Sequence, residues 1–188
     1  VKERWRKMGK IVIISGPSGA GKTTVCTQLL KYPGVRKSIS VTTRPPRHNE
    51  KNGVSYHFVS VPEFEEMLRR GELAEHARYC GHYYGTLVRT LKESLASDTL
   101  LILEIEVQGA LQIMKKFPEA MSIFLMPPNS DTLGRRLLTR NTNEKQDIEL
   151  RLETAEKELS YKDRYQYSVV NDDLEVTVDT IRKILGLV

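Results

Sequence analysis

The chain has 188 residues, of which 39% are hydrophobic and 28% charged, and it carries a formal net charge of +5 at pH 7. This composition excludes a disordered chain, and the length predicts one domain whose core needs no disulfide or structural metal.

The excess positive charge lies at the start of the chain. Residues 1–10 hold five lysines and arginines against one glutamate, so they account for +4 of the total of +5. We interpret residues 1–9 as a solvated basic arm and expect no nucleic-acid partner, with contact between the arm and phosphate or RNA as the alternative. No apolar run is long enough to span a membrane, and Ile11–Ile14 is too short for a signal peptide. We therefore expect a cytoplasmic protein with reduced cysteines and no membrane partner.

Short β-branched runs alternate with stretches of helical spacing along the chain. This alternation predicts parallel strands joined by right-handed crossovers, so we expect an α/β fold with a parallel sheet flanked by helices. Residues 10–41, 87–134 and 152–188 would form this core. The predicted strands are Ile11–Ile14, Ile39–Val41, Leu100–Ile105, Met121–Leu125 and Ser168–Val170.

Two segments break the alternation. Residues 42–86 are rich in Arg, His, Gly, Tyr and Glu, with strand candidates at Tyr56–Val59 and Leu73–Tyr79 around a helix that starts near Pro62. We expect a small α+β insertion that leans over the sheet. Residues 135–151 are polar and charged, and we interpret them as a helical lid, with an ordinary exposed helix–turn–helix as the alternative.

The first predicted strand leads into a phosphate-binding loop. Residues 16–23 read GPSGAGKT and match GxxxxGK[ST], between an apolar strand and a helical stretch. In this context the backbone N–H groups and the helix N-terminus bind a triphosphate, Lys22 reaches the β and γ oxygens, and the Thr23 hydroxyl ligates Mg²⁺. The motif predicts a P-loop NTPase fold without fixing the reaction. Its candidate nucleotide ligands are Gly16, Pro17, Ser18, Gly19, Ala20, Gly21, Lys22, Thr23 and Thr24.

A second phosphate site is indicated further along the chain. Residues 40–50 read SVTTRPPRHNE, which places Arg44 and Arg47 in a loop stiffened by prolines. Guanidinium groups bind phosphate oxygens in pairs, and Tyr56, Tyr83 and Tyr84 add phenolic donors. Two arginines beside prolines are by themselves more typical of a surface loop, but beside a phosphate-binding loop they favour a second phosphate site.

From about Gly9 onward, the chain resembles the guanylate kinase family. The motifs occur in the family's order: SGPSGxGK at 15–22, SxTTRxPRxxE at 40–50, YxF at 56–58, a glutamate at 75, YYGT at 83–86, LEIxxQGA at 103–110, RLxxR at 136–140 and NDDL at 171–174. The resemblance implies Mg²⁺-assisted transfer of the γ-phosphoryl group of ATP to GMP or dGMP, giving ADP and GDP. It also implies a role in GMP recycling and guanine nucleotide supply, and we expect a monomer or weak homo-oligomer.

The resemblance further implies roles for individual residues. The GMP phosphate would be held by Arg44, Arg47, Tyr56 and Tyr84, with Glu50 in the same site. Guanine would be surrounded by Ser40, Glu75, Thr86 and Glu106, and Asn171 would lie near the adenine of ATP. The catalytic residues would be Lys22, Arg44 and the lid arginines Arg136, Arg140 and Arg151. We expect the lid to close over both nucleotides and exclude water.

The chemistry of guanine agrees with these roles. Guanine presents adjacent N1–H and N2–H donors beside the O6 acceptor. A carboxylate such as that of Glu75 can accept from both donors, and the hydroxyls of Ser40 and Thr86 can donate to O6. Adenine would leave the carboxylate unpaired. Glu104, at the end of an apolar strand, is a candidate to orient Mg²⁺ through water; the alternative is a charge at an exposed strand end.

The sequence departs from the family pattern at two positions. Glu106 stands where the family usually has Asp, which leaves open whether it contacts guanine directly or through water. Asn141 stands where a Gly usually follows the lid arginine, and Asn tolerates left-handed backbone angles better than most residues.

Two other functions stay open. A kinase for another mononucleotide or a sugar phosphate would also use the loop and the arginines, but Glu75 with Ser40 and Thr86 favours guanine. A guanylate-kinase-like scaffold that binds phosphopeptides would typically lack a working phosphate-binding loop, whereas Lys22 and the loop glycines are present here.

Overall fold

Five parallel strands form the central sheet of the computed structural model, which describes residues 10–138 and 153–187. They are β1 (Lys10–Ser15), β2 (Val35–Lys37), β7 (Leu100–Glu104), β8 (Met121–Met126) and β9 (Tyr167–Val170). The order across the sheet is β2-β7-β1-β8-β9, and each neighbouring pair is parallel. The predicted α/β fold with a flanked parallel sheet is confirmed.

Helices cover both faces of this sheet, so its central strands are apolar at consecutive positions. In β1, Val12 and Ile14 belong to the cluster formed with α1 (Lys22–Leu29) and α7 (Leu174–Leu185). Ile11 and Ile13 belong to the opposite cluster, formed with α3 (Val88–Leu95) and α4 (Val107–Lys116). Because β1 is fixed from both sides, the loop that follows it starts from a rigid base.

A second, mixed sheet lies beside the first. It contains β3 (Val41–Thr42), β4 (His57–Phe58), β5 (Leu73–Tyr79) and β6 (His82–Leu87), in the order β4-β3-β6-β5. Helix α2 (Val61–Arg69) packs on it through Phe64. Ser60 and Glu63 form a capping box at the start of α2, which explains why the helix begins there.

Helix α4 joins the two sheets. The Lys116 ammonium donates to the Ala74 carbonyl at 2.6 Å, and the Gln112 amide donates to the His76 carbonyl at 2.6 Å. These contacts, on either side of Glu75, hold β5 against α4. The remaining helical segments are α5 (Ser130–Leu138), α6 (153–159) and a short 3₁₀ turn at Lys162–Arg164.

The structure corrects the predicted strands at three places. Ile39–Val41 is not a core strand, because only Val41 of this run is in a strand, β3, which pairs with β4 and β6 in the second sheet. The edge strand of the core is instead β2, whose sequence VRK is too short and polar to give an apolar signal. Strand β6 was not predicted, because its aromatic and polar residues show no clear alternation.

The predicted lid spans residues 135–151. Its first four residues, 135–138, belong to the end of α5, and residues 139–151 lie outside the described residues. Among the helices that the structure describes, none has the length and hydrophobicity needed to cross a membrane.

Candidate active site

The phosphate-binding loop connects β1 to α1 and depends on its glycines. Gly16, Gly19 and Gly21 have φ angles of 142°, 86° and 90°, a region that side chains rarely adopt. A Cβ on Gly16 would overlap the Leu125 carbonyl, and one on Gly21 would overlap the Asn171 amide. Gly21 precedes α1 without capping it through a side chain, so the first N–H groups of α1 remain available to an anion.

Lys22 is folded back into this loop. Its ammonium donates to the carbonyls of Gly16 at 2.5 Å and Pro17 at 3.1 Å, and lies 3.4 Å from a carboxylate oxygen of Glu106. The residue is 8% exposed, so the ammonium is placed inside the loop rather than on the surface. Glu106 is therefore found beside Lys22, at the start of α4.

The ends of β7 and β2 bring a carboxylate to Thr23. The Thr23 hydroxyl donates to Glu104 Oε1 at 2.5 Å, and the Lys37 ammonium lies 2.5 Å from Glu104 Oε2. Burial would raise the pKa of Glu104, but Lys37 and Thr23 outweigh burial and hold that pKa below its ordinary value. Glu104 thus has a lowered pKa and lies next to the loop, and its side chain is only 12% exposed.

The loop that follows β3 carries the two arginines. The Arg44 guanidinium donates to both carboxylate oxygens of Glu50, at 2.8 and 2.9 Å, and to the Pro45 carbonyl at 2.7 Å. The backbone N–H of Arg47 donates to the same carboxylate at 2.8 Å. Burial would raise the pKa of Glu50, but the Arg47 N–H and the Arg44 guanidinium outweigh it and lower that pKa. Glu50 therefore fixes the loop that presents both arginines.

Aromatic rings line the same part of the second sheet. The Arg44 guanidinium lies 5.5 Å from the centre of the Tyr56 ring, and the rings of Tyr56 and Tyr84 meet edge to face at 6.1 Å. Burial raises the pKa of Tyr56 to about 12, and the negative charge of Glu104 contributes. Tyr56 is therefore close enough to Glu104 for the two side chains to interact electrostatically.

Glu75 is buried in β5, where its side chain meets β6 and α4. It is 3% exposed, and its Oε1 accepts a hydrogen bond from the buried Thr86 hydroxyl at 2.6 Å. Its Oε2 lies so close to Gly109 of α4 that a Cβ there would overlap it. Burial raises the pKa of Glu75 to about 7, against the opposing effects of Thr86 and Lys116. The structure thus brings Glu75 and Thr86 together, and Ser40 immediately precedes β3 of the same sheet.

A cavity of about 320 Å³ opens beside the phosphate-binding loop. Asn171, which is 5% exposed, donates from its amide to the Ala20 carbonyl at 2.8 Å and from its backbone N–H to the Met126 carbonyl at 2.7 Å. The Arg136 guanidinium donates to the Asn171 carbonyl at 3.2 Å. The cavity has the size of a small-molecule site. It is lined by Gly19, Gly21, Thr24, Arg136, Asn171, Asp172 and Leu174.

Some residues near the loop were not found by sequence reasoning. Lys37 was missed because its contact with Glu104 depends on the pairing of β2 with β7. Glu158 of α6 is 9% exposed, and burial with the charge of Glu106 raises its pKa to about 7. Glu158 was missed because it lies among other charged residues of α6, a pattern that is typical of an exposed helix face. Two predicted lid arginines, Arg140 and Arg151, lie outside the described residues.

Comparisons with known proteins show the family to which the chain belongs. The guanylate kinase family model matches residues 8–186. A guanylate kinase of Desulfitobacterium hafniense (strain Y51) is 44% identical over 178 residues, which are 94% of this chain and 89% of the relative. A guanylate kinase of Halalkalibacterium halodurans is 42% identical over 181 residues, covering 96% of this chain and 89% of the relative. The crystal structure of guanylate kinase from Anaplasma phagocytophilum superposes with a TM-score of 0.82 at 35% identity, covering 96% of this chain and 86% of that one.

Proposed function

This chain belongs to the guanylate kinase family and is an ATP:GMP phosphotransferase, and we propose that its side chains divide the reaction between two facing phosphate sites. The second sheet and α4 would bind GMP, the phosphate-binding loop and the adjoining cavity would bind ATP, and the phosphoryl group would pass between them. Residues 42–86 would be the GMP-binding insertion, and residues 135–151 would be the lid. Residues 10–41, 87–134 and 152–188 would form the core.

The buried pair of Glu75 and Thr86 carries the guanine part of this proposal. The ionised Glu75 carboxylate would accept from N1–H and N2–H of guanine, while the Thr86 hydroxyl turns from the carboxylate toward O6. Ser40 and Glu106 would complete the site. The wrong base would leave a carboxylate unpaired at a position that is 3% exposed, which supports discrimination by orders of magnitude.

Arg44 and Arg47 would hold the phosphate of GMP, together with the phenols of Tyr56 and Tyr84. The hydrogen bonds from Arg44 Nη2 to both oxygens of Glu50 support this role for Arg44, because a guanidinium that is already oriented loses little entropy on binding phosphate. Glu50 carries the same sign of charge as the phosphate. It would therefore act by positioning Arg44 and would not contact GMP.

On the ATP side, the backbone N–H groups of residues 16–24 would bind the phosphates. The Lys22 ammonium would leave the carbonyls of Gly16 and Pro17 for the β and γ oxygens. The Asn171 amide supports the loop by donating to the Ala20 carbonyl, and the cavity beside it would hold the adenosine part of ATP. Positive charge at the transferring group would come from Lys22, Arg44 and Arg136, with Arg140 and Arg151 supplying more when the lid closes.

Thr23 and Glu104 fit a Mg²⁺ site. A hydroxyl and an ionised carboxylate within 2.5 Å of each other are the oxygen donors that Mg²⁺ prefers, and the phosphates of ATP supply others. When bound, Mg²⁺ neutralises charge on the β and γ oxygens. Thr23 would ligate it, and Glu104 would orient it through water.

Lid closure over both nucleotides would exclude water that otherwise hydrolyses ATP. The use of dGMP beside GMP, a monomeric or weakly self-associating state and a cytoplasmic location stay predictions.

An ADP-release assay with a panel of acceptors tests the proposal. With ATP and Mg²⁺, GMP and dGMP should support turnover, and AMP, CMP and UMP should not. ATP hydrolysis without any acceptor should be much slower than transfer. Turnover with AMP comparable to that with GMP would refute guanine recognition by Glu75, and rapid ATP hydrolysis without GMP would refute lid closure.

A further inference from the structure

The Glu104 carboxylate forms an ion pair with Lys37. Lys37 lies at the end of β2, and its register partner Ile102 in β7 is two residues before Glu104. This pairing brings the Lys37 ammonium to within 2.5 Å of Glu104 Oε2. The side chain of Glu104 is 12% exposed and that of Lys37 is 32% exposed, so the carboxylate is the buried member of the pair.

The two oxygens of Glu104 have different partners. Oε1 accepts from the Thr23 hydroxyl, which keeps its lone pairs available to a metal ion. Oε2 pairs with the Lys37 ammonium. A hydrated Mg²⁺ ion that used Glu104 would therefore bring a double positive charge next to an ammonium group that already holds this carboxylate.

We propose that Lys37 is a resident counter-ion that competes with Mg²⁺ for Glu104 and is displaced when Mg²⁺ and ATP bind. This inference rests on the Mg²⁺ site proposed above. Without metal, the ammonium neutralises a largely buried carboxylate whose other hydrogen-bond donor, the Thr23 hydroxyl, carries no charge. With metal, Lys37 swings toward solvent on its flexible stem.

The electrostatics of the surrounding groups favour displacement. Lys22 is already beside Glu106, 3.4 Å away, so the site holds two ammonium groups and two carboxylates before ATP arrives. Mg²⁺ adds a double positive charge at Glu104, and this charge repels the Lys37 ammonium. A partly exposed lysine is able to leave, whereas Lys22 is 10% exposed at its side chain and is needed at the phosphates.

Two measurements on Lys37→Met test the competition. In a buffer without divalent cations or nucleotide, the variant should melt about 2–4 °C below wild type, because Glu104 loses its partner. In calorimetric titrations with a non-hydrolysable ATP analogue, the free Mg²⁺ concentration that gives half-maximal binding should fall about three- to tenfold, because no ammonium competes.

Matched variants separate this effect from a general loss of charge. Lys37→Arg keeps the cation and should keep a Mg²⁺ requirement close to that of wild type. Lys37→Gln serves as a second neutral variant if Lys37→Met folds poorly. Lys183→Met removes a lysine that pairs with Asp179 at 2.6 Å on α7, and it should leave the Mg²⁺ requirement unchanged.

The outcomes are distinct. If Lys37→Met and Lys37→Gln need as much Mg²⁺ as wild type or more, the competition is overturned. In that case, Mg²⁺-dependent binding of the analogue to wild type would still support the metal site. If binding of the analogue to wild type does not depend on Mg²⁺, the proposed metal site fails, and the competition fails with it.

Discussion

The Glu75 carboxylate accepts a hydrogen bond from Thr86 at 2.6 Å inside the protein, where both residues are at most 3% exposed. The same carboxylate lies against Gly109, so three elements enclose it. Burial raises its pKa to about 7, which means that the carboxyl group of the free enzyme is divided between its neutral and charged forms near neutral pH. The guanine contact proposed for Glu75 uses the charged form.

The substitution Glu75→Gln should impair GMP use selectively. An amide accepts at one atom only and carries no charge, so the KM for GMP should rise about 100-fold or more, while the KM for ATP changes little. Steady-state kinetics with each substrate varied in turn measure both values. Equal losses for GMP and ATP would indicate misfolding, which a thermal melt of the variant would reveal.

The same substitution should stabilise the protein at alkaline pH. Because the pKa of Glu75 is raised to about 7 in the folded state from an ordinary value of 4.5, wild type loses stability as pH rises through this interval. Gln does not titrate, so Glu75→Gln should be more stable than wild type by on the order of 3 kcal/mol at about pH 8. Urea unfolding at several pH values measures this difference, which should vanish below about pH 4.5. A variant less stable than wild type at pH 8 would contradict the prediction.

The KM for GMP should depend on pH through Glu75. At about pH 6 roughly one tenth of a carboxyl group with this pKa is ionised, so the KM should fall up to about tenfold between pH 6 and pH 8. The phosphate of GMP titrates in the same range. Glu75→Gln is therefore the control, because any dependence that remains in it belongs to the phosphate. Identical profiles for the two proteins would exclude Glu75 as the titrating group.

Gly109→Ala should displace the Glu75 carboxylate, because the added Cβ would overlap Oε2. We expect the KM for GMP to rise about ten- to hundredfold with little change for ATP, since a lost hydrogen bond at a charged group costs about 1.5–3 kcal/mol. Gly134→Ala on α5 is the matched control, because a Cβ there has no atom within 4 Å. The control should keep the KM for GMP and gain up to about 1 kcal/mol of stability from helix propensity. An unchanged KM in Gly109→Ala would show that the carboxylate moves freely.

Asn171→Ala should weaken ATP binding. The variant loses the hydrogen bond to the Ala20 carbonyl that supports the phosphate-binding loop, so the KM for ATP should rise about tenfold while GMP binding persists. Asn171→Asp should be worse at neutral pH, because a carboxylate would face a carbonyl oxygen. Calorimetry with ATP and with GMP separately checks the prediction, and an equal loss of both ligands would contradict it.

Much of the fold and of the loop was predictable because the signals are local. Residues 16–23 form a continuous motif, and β1, β7 and β8 are apolar runs that are buried on both faces. The strand predicted at Ile39–Val41 was wrong because β-branched composition does not say which sheet a strand joins. Its actual partners in the second sheet, β4 and β6, are fixed by pairing.

The site residues that escaped prediction depend on contacts between distant parts of the chain. Lys37 and Glu104 are 67 residues apart, and only the pairing of β2 with β7 makes them neighbours. Likewise, the position of Glu106 beside Lys22 follows from where α4 begins, which the motif alone did not show.

The proton balance of GMP binding tests the role of Glu75 most directly. Calorimetric titration of GMP at about pH 6.5, in buffers that differ in ionisation enthalpy, measures the protons released on binding. If guanine binds the ionised carboxylate, wild type should release about three quarters of a proton more than Glu75→Gln, because a group with a pKa of about 7 is mostly protonated at that pH. Equal proton release by the two proteins, with comparable GMP affinity, would contradict the assignment of Glu75 as the residue that recognises guanine.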